Sequence, residues 1–241
     1  MYYKNFSKVY DKFMEICDYN EWIKILEGYI NEYNPQGEKI LDLGCGTGTT
    51  LVKLAERKKY RCSGLDLSED MLKKAKIKLK GKDVPLFLGD MREFDTGEKY
   101  DIIFSFFDTV NHLFATQDLL DLFNSVRNSL NENGIYVFDV VDREFMDKMF
   151  ANGIYADVRK DFAVVWEHFY DDELNLDQIE ASYFIKSKNN SYDRYNEYYE
   201  KRIFTHEEIC ECAEEAQLKL EKTEMNDEIA GKRFFYILSI K

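Results

Sequence analysis

The chain has 241 residues, 45% hydrophobic and 15% aromatic, with 12 glycines and 2 prolines. That is material for one well-packed unit with a modest insertion, and no linker or low-complexity tract stands out. Asp and Glu outnumber Lys and Arg by 46 to 33, and the resulting formal charge of −13 disfavours tight binding to a nucleic-acid backbone.

Residues 2 to about 33 read as two amphipathic helices: Phe6, Val9, Tyr10 and Phe13 recur at helical spacing, as do Trp22, Ile23, Leu26, Tyr29 and Ile30. Pro35 and Gly37 then break the chain. From 39 to 140 the pattern predicts strands at 39–43, 60–65, 84–88, 100–106 and 134–140, with helices near 49–58, 69–80 and 117–130 between them. Such alternation implies a parallel sheet with right-handed crossovers. Ser68 is expected to cap the second of these helices, and the lysine-rich run Lys73 to Lys82 to close it, where the helix dipole attracts cations. Asn133-Gly134 reads as the stop of the third.

After residue 155 the period drops to two. Phe162, Val164, Trp166 and His168 share one face of a strand, Ile179, Ala181, Tyr183 and Ile185 share that of another, and Tyr192 to Phe204 repeats the theme less regularly. Breaks at Asp171-Asp172-Glu173 and Ser187 to Asn190 make this an antiparallel meander inserted into the parallel sheet. A helix near 206–216, opened by a Thr205–Glu208 capping box, and strands near 218–225 and 232–240 complete the chain.

The five cysteines form no CxxC pair and the three histidines are widely spaced, so no metal site is expected. No run approaches the roughly 20 apolar residues of a membrane span, and the N-terminus lacks a signal peptide's apolar core. A cytoplasmic location is the expectation.

Leu41-Asp42-Leu43-Gly44-Cys45-Gly46-Thr47-Gly48 carries the most information: a strand runs into a glycine loop that opens a helix. In an open α/β sheet that loop presents bare backbone to a ligand at the carboxyl end of a strand. A second predicted strand ends in Gly64-Leu65-Asp66-Leu67-Ser68, a third in Gly89-Asp90-Met91, and a fourth begins Tyr100-Asp101-Ile102-Ile103. A nicotinamide dehydrogenase also places an acid about twenty residues past its glycines, but its fingerprint wants Gly or Ala where Thr49 stands.

Taken together, in this order and at this spacing, the four motifs resemble those of the class I S-adenosylmethionine-dependent methyltransferases, strongly over about residues 37 to 141. The resemblance implies a Rossmann-like α/β fold with a seven-stranded, mostly parallel sheet, and S-adenosyl-L-methionine as cofactor. It implies a donor site built from Asp42, Gly44, Cys45, Gly46, Gly48, Asp66, Leu67, Asp90, Met91, Ser105 and Phe106. Within it Asp66 takes the ribose hydroxyls, Asp90 and Met91 the adenine, and Asp42 the methionyl ammonium. The N-terminal segment looks like the lid of a small bacterial subgroup, with Tyr3, Tyr10 and Trp22 as aromatic faces for a sulfonium.

The fourth strand ends toward the transferred methyl in this fold, which makes Asp108, Asn111 and His112 the catalytic candidates, His112 as a base. No Asn-Pro-Pro-Tyr or Asp-Pro-Pro-Tyr tetrad is present. The meander resembles the cover of glycine N-methyltransferase-like enzymes, with Trp166, His168, Tyr183, Tyr195 and Tyr199 as substrate-facing candidates. The implied organisation is a lid (1–36), a donor-binding domain (37–150 and 205–241) and an inserted cover (151–204). The implied reaction is in-line methyl transfer to a small molecule by a monomer or homodimer. Transfer to RNA or protein, and a non-enzymatic cofactor-binding module, are the alternatives.

Overall fold

The computed structural model describes residues 3–241. The chain opens with a 3-10 turn (Phe6–Lys8), a single-turn helix α1 (Tyr10–Phe13), a second 3-10 turn (Met14–Ile16) and the long helix α2 (Tyr19–Tyr33). The first expected amphipathic helix is therefore broken into turns, and its residue 2 lies outside the described residues. The break has a cause. The carboxylate of Asp18 accepts the Asn20 N–H (2.9 Å) to start α2 afresh, while Phe6 and Val9 turn away into a different core.

Strands and helices then alternate: β1 (Lys39–Leu43), α3 (Thr49–Glu56), β2 (Arg61–Asp66), α4 (Glu69–Lys78), β3 (Leu86–Leu88), β4 (Tyr100–Ser105), α5 (Thr116–Ser129) and β5 (Leu130–Val140). Helix α6 (Arg143–Met149), absent from the expectations, leads into β6 (Ile154–Val158), β7 (Phe162–Asp171), β8 (Leu176–Lys186) and β9 (Tyr192–Arg202). Helix α7 (His206–Glu215), β10 (Leu218–Asn226) and β11 (Arg233–Ile240) end the fold.

The main sheet has seven strands in the order β10-β11-β5-β4-β1-β2-β3, all parallel except β11, which is antiparallel to both its neighbours. Side chains alternate across it. Leu41, Ile103, Tyr136, Phe138 and Leu238 face α5 and α7, whereas Ile40, Ile102, Phe104, Val137 and Ile237 face α2, α3 and α4. Helices on both faces explain why these strands read as continuous apolar runs.

Ser68 caps α4 by accepting the Met71 N–H (3.3 Å), and Thr205 and Glu208 form the reciprocal capping box of α7 (3.1 and 2.9 Å). Asn133-Gly134 does not stop α5. That helix ends at Ser129, Leu130 is already extended, and β5 starts there. Gly134 is needed for a different reason: a Cβ there would lie 2.9 Å from the Asn131 carbonyl oxygen and 3.0 Å from that of Tyr100.

The second sheet, β6-β7-β8-β9, is antiparallel throughout. Its inner face buries Phe162, Val164, Ile179, Tyr183 and Tyr199 against Phe6, Val9, Val141, Met146 and Phe150. The N-terminal segment thus lies between this sheet and the carboxyl ends of the main strands.

Candidate active site

A cavity opens at the carboxyl ends of β1, β2 and β4, where the strand order reverses beside β1. Its floor is Asp42, the glycine loop from Gly44 to Thr47, Asp66 to Ser68, and Gly89 to Arg92; its far wall is Phe106, Phe107, Thr109 and His112 to Phe114; Tyr3, Tyr10 and Tyr19 overhang it.

The glycine loop is fixed from below. The N–H groups of Gly44 and Cys45 both donate to the Leu65 carbonyl (2.8 and 3.0 Å), tying the loop to β2. Gly44 sits at φ +93°, and a Cβ there would come within 2.4 Å of Thr109 Cγ2. Gly46, at φ +53°, has nothing within 4 Å of its would-be Cβ, so its bare backbone faces open cavity. Gly48 is different. At φ +75° it caps α3, and its would-be Cβ meets Ala75 Cβ at 3.1 Å, so it lets α3 approach α4 and does not line the cavity.

The two acids nearest the loop are held in contrasting ways. Asp66 accepts the Gly46 N–H on one oxygen and the Ser68 N–H on the other, each at 2.7 Å. A carboxylate offers about four lone pairs, so two stay available to the cavity. Asp42 is buried, and burial, with the negative Asp66 nearby, pushes its carboxyl well up. Burial raises Asp66 as well, against its two backbone donors. A pair of carboxyls raised by desolvation fits a ligand that brings positive charge and hydroxyl donors.

At the opposite end Asp90 is held by Arg92, whose Nη2 and backbone N–H donate to it at 2.6 and 2.9 Å, while Nη1 donates to Asp118 (2.8 Å). The Arg92 hydrogen bonds pull Asp90 below its ordinary value. Asp118 in turn accepts the N–H groups of Phe114 and Ala115 (both 3.0 Å), which seats the start of α5 against the cavity.

The wall after β4 is strained. Phe107 and Asp108 both have positive φ (62° and 53°), unusual for two successive non-glycine residues. Asp108 is locked there by Lys201 of β9 and by Arg233 of β11 (3.0 Å), and Arg233 also donates to Asp139 of β5 (2.6 Å). Burial would raise Asp108, but Lys201 and Arg233 outweigh it and hold the carboxyl at about 2; burial lifts its neighbour Asp139 to about 6.

His112 closes this wall, with its Nε2 2.7 Å from the Tyr3 hydroxyl and its ring hydrogen-bonded to the Glu200 backbone. Burial first, then Lys201, lowers it to about 4 against the pull of Asp108, so the imidazole is neutral at physiological pH. The Tyr3 and Tyr10 phenols are raised by burial and carry their protons.

Of the residues singled out from sequence, Asp42, Gly44, Cys45, Gly46, Asp66, Leu67, Asp90, Met91, Phe106, Tyr3, Tyr10 and His112 all line this cavity. Ser105 does not: it is fully buried, its hydroxyl donates to the Leu43 carbonyl (2.8 Å), and it accepts from Tyr136 (3.0 Å). Trp22 lies in the helix core, 4.1 Å from the Phe107 ring and 5.2 Å from Phe106, behind the wall and not over it. Asp108 and Asn111 stand outside the cavity too. Asn111 joins two segments, accepting the Val141 N–H (3.0 Å) and donating to the Arg202 carbonyl (2.8 Å).

The five meander candidates also stand outside the cavity, with the N-terminal segment over Trp166, Tyr183, Tyr195 and Tyr199. Trp166 packs on Phe6 and Phe13, His168 pairs with Asp177 and stacks on Phe150, Tyr183 donates to the Tyr199 hydroxyl (2.9 Å) under Phe6, and Tyr195 lies beneath Lys8 (3.8 Å). Tyr3 and Tyr10 of that segment line the cavity instead. Sequence reasoning missed Thr47, Tyr19, Arg92, Phe107, Thr109, Leu113, Phe114 and Asp118. For Arg92 a signal existed, a guanidinium two residues beyond the loop acid, whereas Asp118 is visible only as an N-terminal helix acid.

Residues 40–134 match the family described as a methyltransferase domain. A putative methyltransferase of Bacillus subtilis, YqeM, is 32% identical over 98% of this chain and 96% of its own length. A Streptomyces venezuelae protein named dTDP-3-amino-3,4,6-trideoxy-alpha-D-glucopyranose N,N-dimethyltransferase is 33% identical over 66% of this chain and 65% of its own. The crystal structure of an S-adenosylmethionine-dependent methyltransferase from Clostridium acetobutylicum superposes with a TM-score of 0.84 at 25% identity, covering 99% of this chain and 98% of that one. Strand order, the lone antiparallel strand, the glycine-loop cavity and full-length likeness agree: this chain belongs to the class I S-adenosylmethionine-dependent methyltransferases.

Proposed function

We propose that the acceptor is the amine of a small polar molecule, a nucleotide-linked amino sugar being the nearest example, and that His112 with Tyr3 manages the proton on its nitrogen. One observation carries the reading: the cavity is roofed by residues 3–13 and backed by the second sheet, so the acceptor must reach in as a small group. The amino-sugar dimethyltransferase relative points the same way, and the −13 charge disfavours a nucleic-acid acceptor.

In this reading Asp66 would hold the ribose hydroxyls with its two free lone pairs, and Asp42 would hold the methionyl ammonium. Asp90, oriented by Arg92, and Met91 meet the adenine. Bound donor supplies an electrophilic methyl on a sulfonium. The protein aligns the acceptor nitrogen, excludes water and needs little else, since an unprotonated amine is nucleophile enough. The tyrosine faces favour the sulfonium by roughly 0.5–2 kcal/mol. As the nitrogen gains its methyl and the carbon–sulfur bond breaks, the nitrogen becomes an ammonium. The Tyr3 oxygen accepts a hydrogen bond from its N–H while the Tyr3 hydroxyl donates to the neutral His112 Nε2, and the proton is lost to water as the product leaves.

The test is a panel of amines, amino sugars and nucleotide-linked amino sugars incubated with methyl-labelled donor. Label on a small amine with matching release of S-adenosylhomocysteine is expected. Label found only on RNA or protein would overturn the reading.

A further inference from the structure

We infer that Asp11 and Lys78 are positioning residues for the methyl donor: they clasp residues 3–13 to the glycine loop and thereby set how fast the donor is taken up and released. The Lys78 ammonium donates to Asp11 Oδ1 (2.6 Å), to Thr47 Oγ1 (2.7 Å) and to Thr49 Oγ1 (2.6 Å), which uses all three of its protons. The Thr47 hydroxyl donates to the same Asp11 oxygen at 2.6 Å. Tyr10, Thr47 and Thr49 all line the cavity. A single cation therefore joins three parts of one wall: the overhanging segment, the glycine loop and the first turn of α3.

Helix chemistry does not require this. A lysine in the last turn of α4 satisfies the dipole equally well from water, as the exposed Lys76 does. Lys78 is turned inward instead, and burial lowers its pKa against the pull of Asp11. Half-exposed ion pairs add little to stability, so the placement calls for another reason.

The opposite edge of the segment belongs to the second sheet. Glu197 accepts the N–H groups of Asn5 (2.6 Å) and Phe6 (3.4 Å), and Arg159 donates to the carbonyls of Lys12 (2.5 Å) and Phe13 (3.2 Å). Phe6 and Val9 are buried with that sheet's inner face. Among the described residues, the polar ties of residues 3–16 to the glycine-loop side run through Asp11, and Tyr3 to His112 is the tie on the acceptor side. Opening the Asp11 edge uncovers the donor without unpacking any core.

The inference rests on the reading that the donor occupies this cavity, and the experiment separates the two. Binding of S-adenosylhomocysteine to the full chain is followed by stopped flow for wild type, Asp11→Asn, Lys78→Met, the double variant, Lys78→Arg and Asp66→Ala. Each single clasp variant is expected to release the ligand about three- to tenfold faster and to take it up faster, with the double variant no worse than either single. Lys78→Arg keeps the cation and should restore slow release, which a general loss of structure would not allow. Raising the salt to about 0.5 M should speed wild-type release toward that of Lys78→Met and leave Lys78→Met unmoved. Unchanged release in both single variants, or additive effects in the double, overturns the clasp provided Asp66→Ala binds more weakly. Wild-type affinity in Asp66→Ala overturns the cavity reading instead.

Discussion

Asp66 is pre-aimed: its two backbone donors hold the carboxylate still before any ligand arrives. Replacing it by Ala removes the proposed ribose contacts, and charge-assisted bonds of that kind are worth about 1.5–3 kcal/mol each. A loss of about a hundredfold in donor affinity is expected by titration calorimetry. His112 gives a pH signature. Its native pKa of about 4 lies below the 6.5 of a free imidazole. Between those values the unfolded chain binds a proton that the native chain does not, so stability falls as pH drops from 6.5 to 4 and levels off above 6.5. The integrated effect is about 3 kcal/mol. Urea unfolding of His112→Asn at pH 7 and pH 4.5 should show a shallower loss than wild type. The residues legible in the sequence were those whose chemistry is local. Asp66, Asp90, Gly44 and Gly46 follow strands at fixed spacing, so topology alone carries them to the cavity. Trp22 and Asp108 failed that logic, because a tryptophan on an amphipathic helix and an acid in a loop are pointed by partners far away in sequence, Phe107 and Phe235 for one, Lys201 and Arg233 for the other.

Among elements, the glycine loop separates two kinds of glycine. Gly44→Ala adds a Cβ against Thr109 in a left-handed backbone, so it should cost about 2 kcal/mol or more and lower both the unfolding temperature and donor affinity. Gly46→Ala points its methyl into open cavity. It should cost only about 1 kcal/mol of stability while weakening the donor disproportionately, as thermal unfolding with and without S-adenosylhomocysteine would show. The strand–helix alternation was readable because buried parallel strands and amphipathic helices have distinct periods. The first N-terminal helix misled because helical spacing of Phe6, Val9, Tyr10 and Phe13 also suits a string of tight turns pressed on a flat sheet. Helix α6, at 7 residues, was too short for its period to show, and β6 buries no residue fully and so carries no apolar pattern.

Across the molecule, the second sheet is more than a cover. Glu200, Lys201 and Arg202 of β9 all reach the wall that carries His112, through a backbone bond, an ion pair and the Asn111 amide. Replacing residues 154–202 by a short linker should therefore impair donor binding as well as turnover, since the segment bearing Tyr3 and Tyr10 loses the surface it packs on. Calorimetry on the shortened protein checks this. If donor affinity is retained, the sheet serves the acceptor alone. The sequence showed the meander by its period of two but not which face looked where, because nothing local reveals that another segment intervenes.

Arg233, the counter-ion shared by Asp108 and Asp139, is the first residue of the last strand, and β11 must thread between β5 and β10 to deliver it. Without Arg233, Asp108 and Asp139 would face each other buried beside a strained turn, with Lys201 alone to offset them. A strand that contributes nothing to the cavity lining thus sets the charge balance behind the wall that carries His112.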